Sequence, residues 1–183
     1  MYAEFRVKGK RKLDMQLVKP RMGHYKAMME ADRDFEAAGE EPYCGCRGRM
    51  GYMAWLGLVD KQSKPEYVDY GGNPNEIYLL LDDGGRICGF GQLRMFDTRD
   101  ALTWAGHIGY SVPPSLRGRG YAQLMLNKLL EMGFARGKDR ILLTCDVDND
   151  ASRHVIEKAG GKFAGYYSDA EYDKRLYWFY RKG

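Results

Sequence analysis

Arg117-Gly118-Arg119-Gly120-Tyr121-Ala122 is the stretch that decides how this chain folds. It lies between an apolar run, Ile108 to Val112, and a strongly apolar segment, Tyr121 to Phe134, which reads as a helix. The glycines let the backbone pass close to an anion, and the helix that follows presents unpaired N–H groups and the positive end of its dipole at that point. Arg117 and Arg119 add the capacity for charge-assisted hydrogen bonds. Taken together these residues form a pyrophosphate cradle; the bland alternative is a basic turn that merely starts a helix. Other phosphate motifs do not account for the stretch. A dinucleotide fingerprint needs a third glycine where Gln123 stands, with the first strand of a βαβ unit before it, and no G-x-x-x-x-G-K-[ST] pattern occurs.

Working outward from the cradle, His107 to Val112 is a strand stopped by Pro113-Pro114, which have no amide donors to offer. Downstream come a strand at Ile141 to Cys145 and a helix from Asp150, capped by Asp148 or Asn149 and ended by Gly160-Gly161. Strands at Lys162 to Tyr167 and Leu176 to Arg181 finish the chain. Upstream, Asp82-Asp83-Gly84-Gly85 separates the apolar runs Ile77 to Leu81 and Arg86 to Phe96, which predicts a hairpin. Gly89 and Gly91 in its second arm permit close approach or a bulge. Before a polar loop from Asp60 to Asn75, Tyr52, Trp55, Leu56 and Val59 predict a short amphipathic helix. A glycine-rich loop around Cys44 to Arg49 precedes it, after a helix carrying Tyr25, Met28, Met29 and Phe35. The chain opens with a half-buried strand in which Leu13, Met15 and Leu17 alternate with Asp14 and Gln16. This order predicts an α/β fold in which helices cover a mixed sheet. No internal repeat or domain boundary interrupts it, so residues 1–183 form one domain.

Composition narrows the function classes. A chain of 183 residues can bury a sizeable core without disulfide staples. Cys44, Cys46, Cys88 and Cys145 form no Cys/His cluster with zinc-ligand spacing, so the expectation is free thiols and no metal. There is no apolar leader with a cleavage site and no window near ~20 apolar residues, so no membrane span is expected and the location expected is cytoplasmic. The formal charge of +4 includes Arg6, Lys8, Lys10, Arg11 and Lys12. That run is a nucleic-acid patch or, more commonly, a solvated basic end, and no aromatic stacking motif accompanies it.

The cradle and its flanks resemble the GNAT acetyltransferase superfamily, whose acetyl-CoA signature runs Arg or Gln, two residues, Gly, one residue, Gly or Ala. Arg117, Gly120 and Ala122 match it in order. His107-Ile-Gly-Tyr-Ser-Val-Pro-Pro114 resembles that family's fourth strand and its exit, and the segment from Asn149 through Ser152 to Gly160 resembles its second CoA-side segment. In form it is similar to the branch of ribosomal-protein N-terminal acetyltransferases. The likeness runs from about Gly106 to Phe163 and fades before Ile77. It implies a mostly antiparallel sheet with splayed central parallel strands. Residues 77–183 would form the acetyl-CoA core and residues 1–76 the acceptor side.

The resemblance also implies roles. Acetyl-CoA enters between the strands at His107 to Val112 and Ile141 to Val147; main-chain groups of Ser111 and Val112 pair with its pantetheine arm. An N–H near Tyr110 to Val112 polarises the thioester carbonyl. The cofactor-binding set is Tyr110, Ser111, Val112, Arg117, Gly118, Arg119, Gly120, Tyr121, Ala122, Asn149 and Ser152. His107 stands where the family often has Glu, so it is the candidate base, the alternative being a strand cap; Asp146 is a second candidate, or a cap of the Asp150 helix. The family's acid, a Tyr seven residues after the Asn, is here Ile156, which leaves Ser152 to contact the sulfur or to cap the helix. Arg153 and Lys158 are phosphate contacts or solvated charges, and His24 and His154 are read as surface residues.

The acceptor implied is an amine. Tyr25, Trp55, Tyr166, Tyr167, Tyr172 and Trp178 offer an aromatic lining or ordinary core, and Asp169, Glu171 and Asp173 would attract a cation. A catalytically silent acyl-CoA binder, nucleic-acid association through the basic end, and a homodimer stay open.

Overall fold

Asp82 turns the chain at the first hairpin: its Oδ1 accepts the N–H groups of Gly84 (3.0 Å) and Arg86 (2.9 Å), while its C=O accepts the N–H of Gly85 (2.9 Å). The turn aligns β4 (Glu76–Leu81) with β5 (Ile87–Leu93), with a bulge at Leu80/Leu81 where β4 and β5 change register. The computed structural model describes residues 4–5, 13–41, 48–70 and 72–182. In it β1 (Glu4–Phe5) pairs with β2 (Leu13–Asp14), and an antiparallel sheet runs β3-β4-β5-β6 through β3 (Gln16–Val18) and β6 (Ile108–Ser111). A second antiparallel sheet runs β7-β9-β8, with β7 Arg140–Asp146, β8 Lys162–Ser168 and β9 Asp173–Tyr180. The expected opening strand is thus divided at Met15, with one part on β1 and the other on β4.

Helices cover both faces of the first sheet. On one lie α1 (Tyr25–Ala37) and α2 (Gly48–Gln62), around a core of Met28, Phe35, Tyr52, Leu79 and Phe90. Against the other lies α3 (Tyr121–Ala135), which buries Leu124, Met125, Leu126, Leu129 and Leu130 with Leu80, Leu93 and Leu143. Each such side chain contributes roughly 1.5–3 kcal/mol of transfer free energy against the entropy of ordering it. The same core takes Ile156 from α4 (Asp150–Lys158) and Tyr177 and Phe179 from β9, so α3 and α4 bind the two sheets together.

The sheets meet along β6 and β7. His107, just before β6, donates its N–H to the Leu142 carbonyl at 2.7 Å, yet no ladder continues from there. Further along, Tyr110 reaches Ser152, which lies beyond the end of β7. The two strands therefore run in the same direction and diverge, as expected of the splayed central pair. Cys88 and Cys145 are buried free thiols; Cys44, Cys46 and the basic run from Arg6 to Lys12 lie outside the described residues. Among the described residues no helix is long and apolar enough to cross a membrane.

Candidate functional site

The divergence of β6 and β7 opens a cleft of about 580 Å³. One wall is the exit of β6, Tyr110 to Val112. The floor is the turn Arg117 to Gly120 with Tyr121, Ala122 and Gln123 of α3, and the opposite wall is Asn149, Ser152 and Val155. Every cofactor-binding residue expected from the sequence lines it except Arg119, whose Nη2 bonds the Ser115 carbonyl at 3.1 Å.

The turn is shaped by its glycines. Gly118 and Gly120 have φ of +73° and +87°, a conformation L side chains rarely adopt, and at Gly118 open space lies where a Cβ would be. Gly120 is the N-cap of α3, and among the described residues no side-chain hydrogen bond caps that helix. First-turn N–H groups and the positive end of a 15-residue helix therefore face the cleft without a capping acceptor. A diphosphate fits this floor on both counts, shape and charge.

Arg117 lines that space with its donors already engaged. Its Nε donates to the Val112 carbonyl at 3.1 Å, and Nη1 and Nη2 donate to Glu40 Oε1 and Oε2 at 2.6 Å each. The Arg117 hydrogen bonds hold the Glu40 carboxyl below its usual range. Glu40 follows α1 and lines the cleft, so an acidic group shares the pocket with the cradle. Sequence reasoning missed it. Asp34 adds a second tie from α1, its Oδ2 accepting the Ser115 N–H at 3.1 Å and hydroxyl at 2.8 Å.

On the opposite wall Asn149 is the N-cap of α4, its Oδ1 accepting the Ser152 N–H at 2.9 Å. Ser152 Oγ lies 2.9 Å from the Tyr110 hydroxyl. Ile156 is wholly buried and points away from the cleft into the core.

The two candidate bases stand elsewhere. His107 is 1% exposed and does not line the cleft. Its Nδ1 accepts the Leu142 N–H at 2.9 Å, which puts the ring proton on Nε2, 2.8 Å from Asp97 Oδ1. Lys138 lies 3.1 Å from the same nitrogen and is itself paired with Asp97. Burial, with the Lys138 charge, pushes the His107 pKa down against the pull of Asp97. Both nitrogens are committed, so the ring joins the sheets and has no lone pair to offer a substrate proton. Asp146 pairs with Lys174 across β7 and β9, and its carbonyl accepts the Asn149 N–H at 3.1 Å.

Other expectations resolve individually. His24 is buried, not a surface residue: the short turn before α1 folds its ring inward and Nδ1 accepts the Arg21 N–H at 3.2 Å. His154 is exposed but borders the cleft, as does Lys158, whereas Arg153 pairs with Asp150 and Glu157. The aromatic residues do not converge. Tyr25 and Trp55 pack on Tyr52, Tyr166 on Phe163, and Trp178 lies under Arg140, while Tyr172 stacks on Trp104 at 4.3 Å.

Two sheets parting over an uncapped helix N-terminus form the architecture that the sequence resemblance implies. The acetyltransferase (GNAT) family model matches residues 49–161, more than half of the chain, and the chain belongs to that family. No curated protein matches the sequence. Among solved structures, Mycobacterium smegmatis RimJ in complex with CoA-disulfide superposes with a TM-score of 0.71 at 20% identity, covering 98% of this chain and 86% of that one. The microcin self-immunity acetyltransferase MccE, in complex with acetyl-CoA and AMP, gives 0.67 at 15% identity over 91% and 92%. RimL, a ribosomal alpha-N-protein acetyltransferase in complex with coenzyme A, gives 0.66 at 19% over 91% and 93%. At these identities the likeness is one of fold.

Proposed function

We propose that this chain is an acetyl-CoA-dependent N-acetyltransferase whose acceptor is a primary amine, and that an N-terminal α-amine of a peptide or protein suits it better than an alkylamine. One observation carries the reading: the uncapped start of α3, with Gly118 and Gly120 beneath it, opens on a cleft walled by Tyr110, Ser111, Val112, Asn149 and Ser152. When bound there, acetyl-CoA supplies an activated acyl group. The first-turn amides of α3 hold the diphosphate, and main-chain groups of Ser111 and Val112 orient the arm. An N–H near Tyr110 to Val112 polarises the carbonyl, a kind of contact worth about 3–4 kcal/mol.

The preference for an α-amine follows from the proton. Neither His107 nor Asp146 brings a free base to the cleft. An alkylamine with a pKa near ~10 costs roughly 4 kcal/mol to deprotonate at pH 7, whereas an α-amine near ~8 costs about a third of that. The fold likeness to RimL, an alpha-N-protein acetyltransferase, supports the same acceptor class. Residues before Ile77, with α1 and α2, would form the acceptor side, in a soluble cytoplasmic protein.

Thiol release from acetyl-CoA tests this, with short peptides bearing free N-termini, polyamines and small aromatic amines as acceptors. Turnover on peptides in preference to polyamines is expected. Tight CoA binding with no turnover on any amine would instead identify a silent acyl-CoA binder.

A further inference from the structure

Tyr110 crosses the splay between the sheets. It belongs to β6, yet its hydroxyl lies 2.9 Å from Ser152 Oγ and 3.3 Å from the Ser152 carbonyl oxygen, on the helix that follows β7. Both side chains line the cleft. Burial raises the phenol to about 12, so it keeps its proton throughout the neutral range. The Ser152 N–H is already given to Asn149, which leaves the serine hydroxyl as the group free to turn.

Two proton arrangements fit this geometry. In one, Ser152 donates to Tyr110 and the phenol donates to the Ser152 carbonyl. In the other, Tyr110 donates to Ser152 Oγ, and the serine proton is released toward the cleft. An anion arriving beside Ser152 selects the second, and a chain of two hydroxyls donates more strongly than one because each polarises the next. No phenol comes from α4 itself, since Ile156 is sealed in the core.

We propose that Tyr110 is a positioning residue for departure of the thiol: its hydroxyl, by donating to Ser152 Oγ, turns the serine proton onto the leaving sulfur. This rests on the reading that acetyl-CoA occupies the cleft. In the transfer, the acceptor nitrogen bonds the carbonyl carbon and the C–S bond breaks, its electron pair passing to sulfur. The proton shed by nitrogen goes to water, and water protonates the thiolate once it has left. Both hydroxyls keep their protons, because a phenol near 12 is a weaker acid than a thiol near ~8.5 by about three to four orders of magnitude.

The test uses CoA alone, so it needs no acceptor. The thiol of bound CoA is titrated by thiolate absorbance, with the protein saturated by desulfo-CoA as reference to cancel its own cysteines and tyrosines. In the wild type the bound thiol should ionise at lower pH than free CoA. Tyr110→Phe and Ser152→Ala should each return it toward the free value, and the double variant should add nothing more. CoA affinity should stay within about threefold in Tyr110→Phe, while kcat falls roughly tenfold at unchanged KM for acetyl-CoA, the effect of one lost hydrogen bond.

A bound wild-type thiol that ionises no more readily than free CoA overturns the proposal, as does a Tyr110→Phe titration that matches the wild type. If Tyr110→Phe is too unstable to bind CoA, Ser152→Ala decides: a wild-type titration there overturns the idea equally. Failure of the wild type to bind CoA at all overturns the underlying reading instead.

Discussion

Glu40 sets a carboxylate in the same cleft as the phosphate cradle, and Arg117 is the residue that tolerates it. Two 2.6 Å hydrogen bonds neutralise the acid while it waits beside a helix N-terminus built for an anion. Removing the charge but not the shape, as in Glu40→Gln, should strengthen CoA binding by a few-fold. Calorimetry should also show that gain shrinking in high salt, as expected for an exposed charge. Unchanged or weaker binding would mean that Glu40 does not compete with the phosphates. None of this was visible in the chain itself, because Glu40 lies 77 positions before its partner and in a loop without pattern. By contrast Gly118, Gly120, Asn149 and Ser152 were legible, since each is held by local geometry that its neighbours dictate. His107 was legible as a special residue but not as a buried one. Its partners Leu142, Asp97 and Lys138 come from three different segments, and only the fold assembles them.

At the scale of elements, the seam between β6 and β7 depends on that histidine. Its folded-state pKa lies below the ordinary 6.5, so the native protein favours the neutral ring. The sign follows: stability from His107 is complete above about 6.5 and is lost as pH falls below it toward the depressed value. Replacing it by Ala strands the buried Leu142 N–H, at a cost of about 1–3 kcal/mol. Urea midpoints should therefore separate wild type from His107→Ala at pH 7.5, with the gap narrowing at pH 5.5. The pH profile of kcat, measured well below either melting temperature, should keep its shape; a lost inflection would restore His107 as the base. Packing of α3 offers a second check. A Cβ at Gly91 would stand 2.7 Å from Leu129 Cδ1 and 2.8 Å from Met125 Sδ. Gly91→Ala should thus destabilise by about 1 kcal/mol, the low end for overpacking, read from urea unfolding, as the ends of the Leu129 and Met125 side chains turn aside in a closed core. Elements with clean periodicity or turn chemistry, such as the Asp82 hairpin and α3, were legible in the sequence. The length of α2 was not, because Met50, Met53 and Leu58 lie on its exposed face and blur the apolar periodicity.

Among the described residues the two larger sheets are held as one by α3, α4 and the β6–β7 seam, with the cleft where the seam fails. A ligand that bridges the gap bonds to both sides and so should stabilise the entire fold rather than one half. Linkage sets the size of the effect. At a CoA concentration about 100 times Kd, a site present only in the native state contributes roughly 2.7 kcal/mol. For a chain of this length each kcal/mol moves Tm by about 2–4 °C, so a rise of roughly 5–11 °C is expected in one cooperative transition. Gly120→Val should remove most of that rise, because a β-branched side chain is strained at φ +87° at the N-cap of α3, beside the amides that hold the phosphates. Calorimetric scans with and without CoA decide the matter. If Gly120→Val melts normally and still gains the full shift, the ligand's phosphates do not sit on α3. If CoA instead splits the wild-type transition in two, the sheets are not coupled through this cleft.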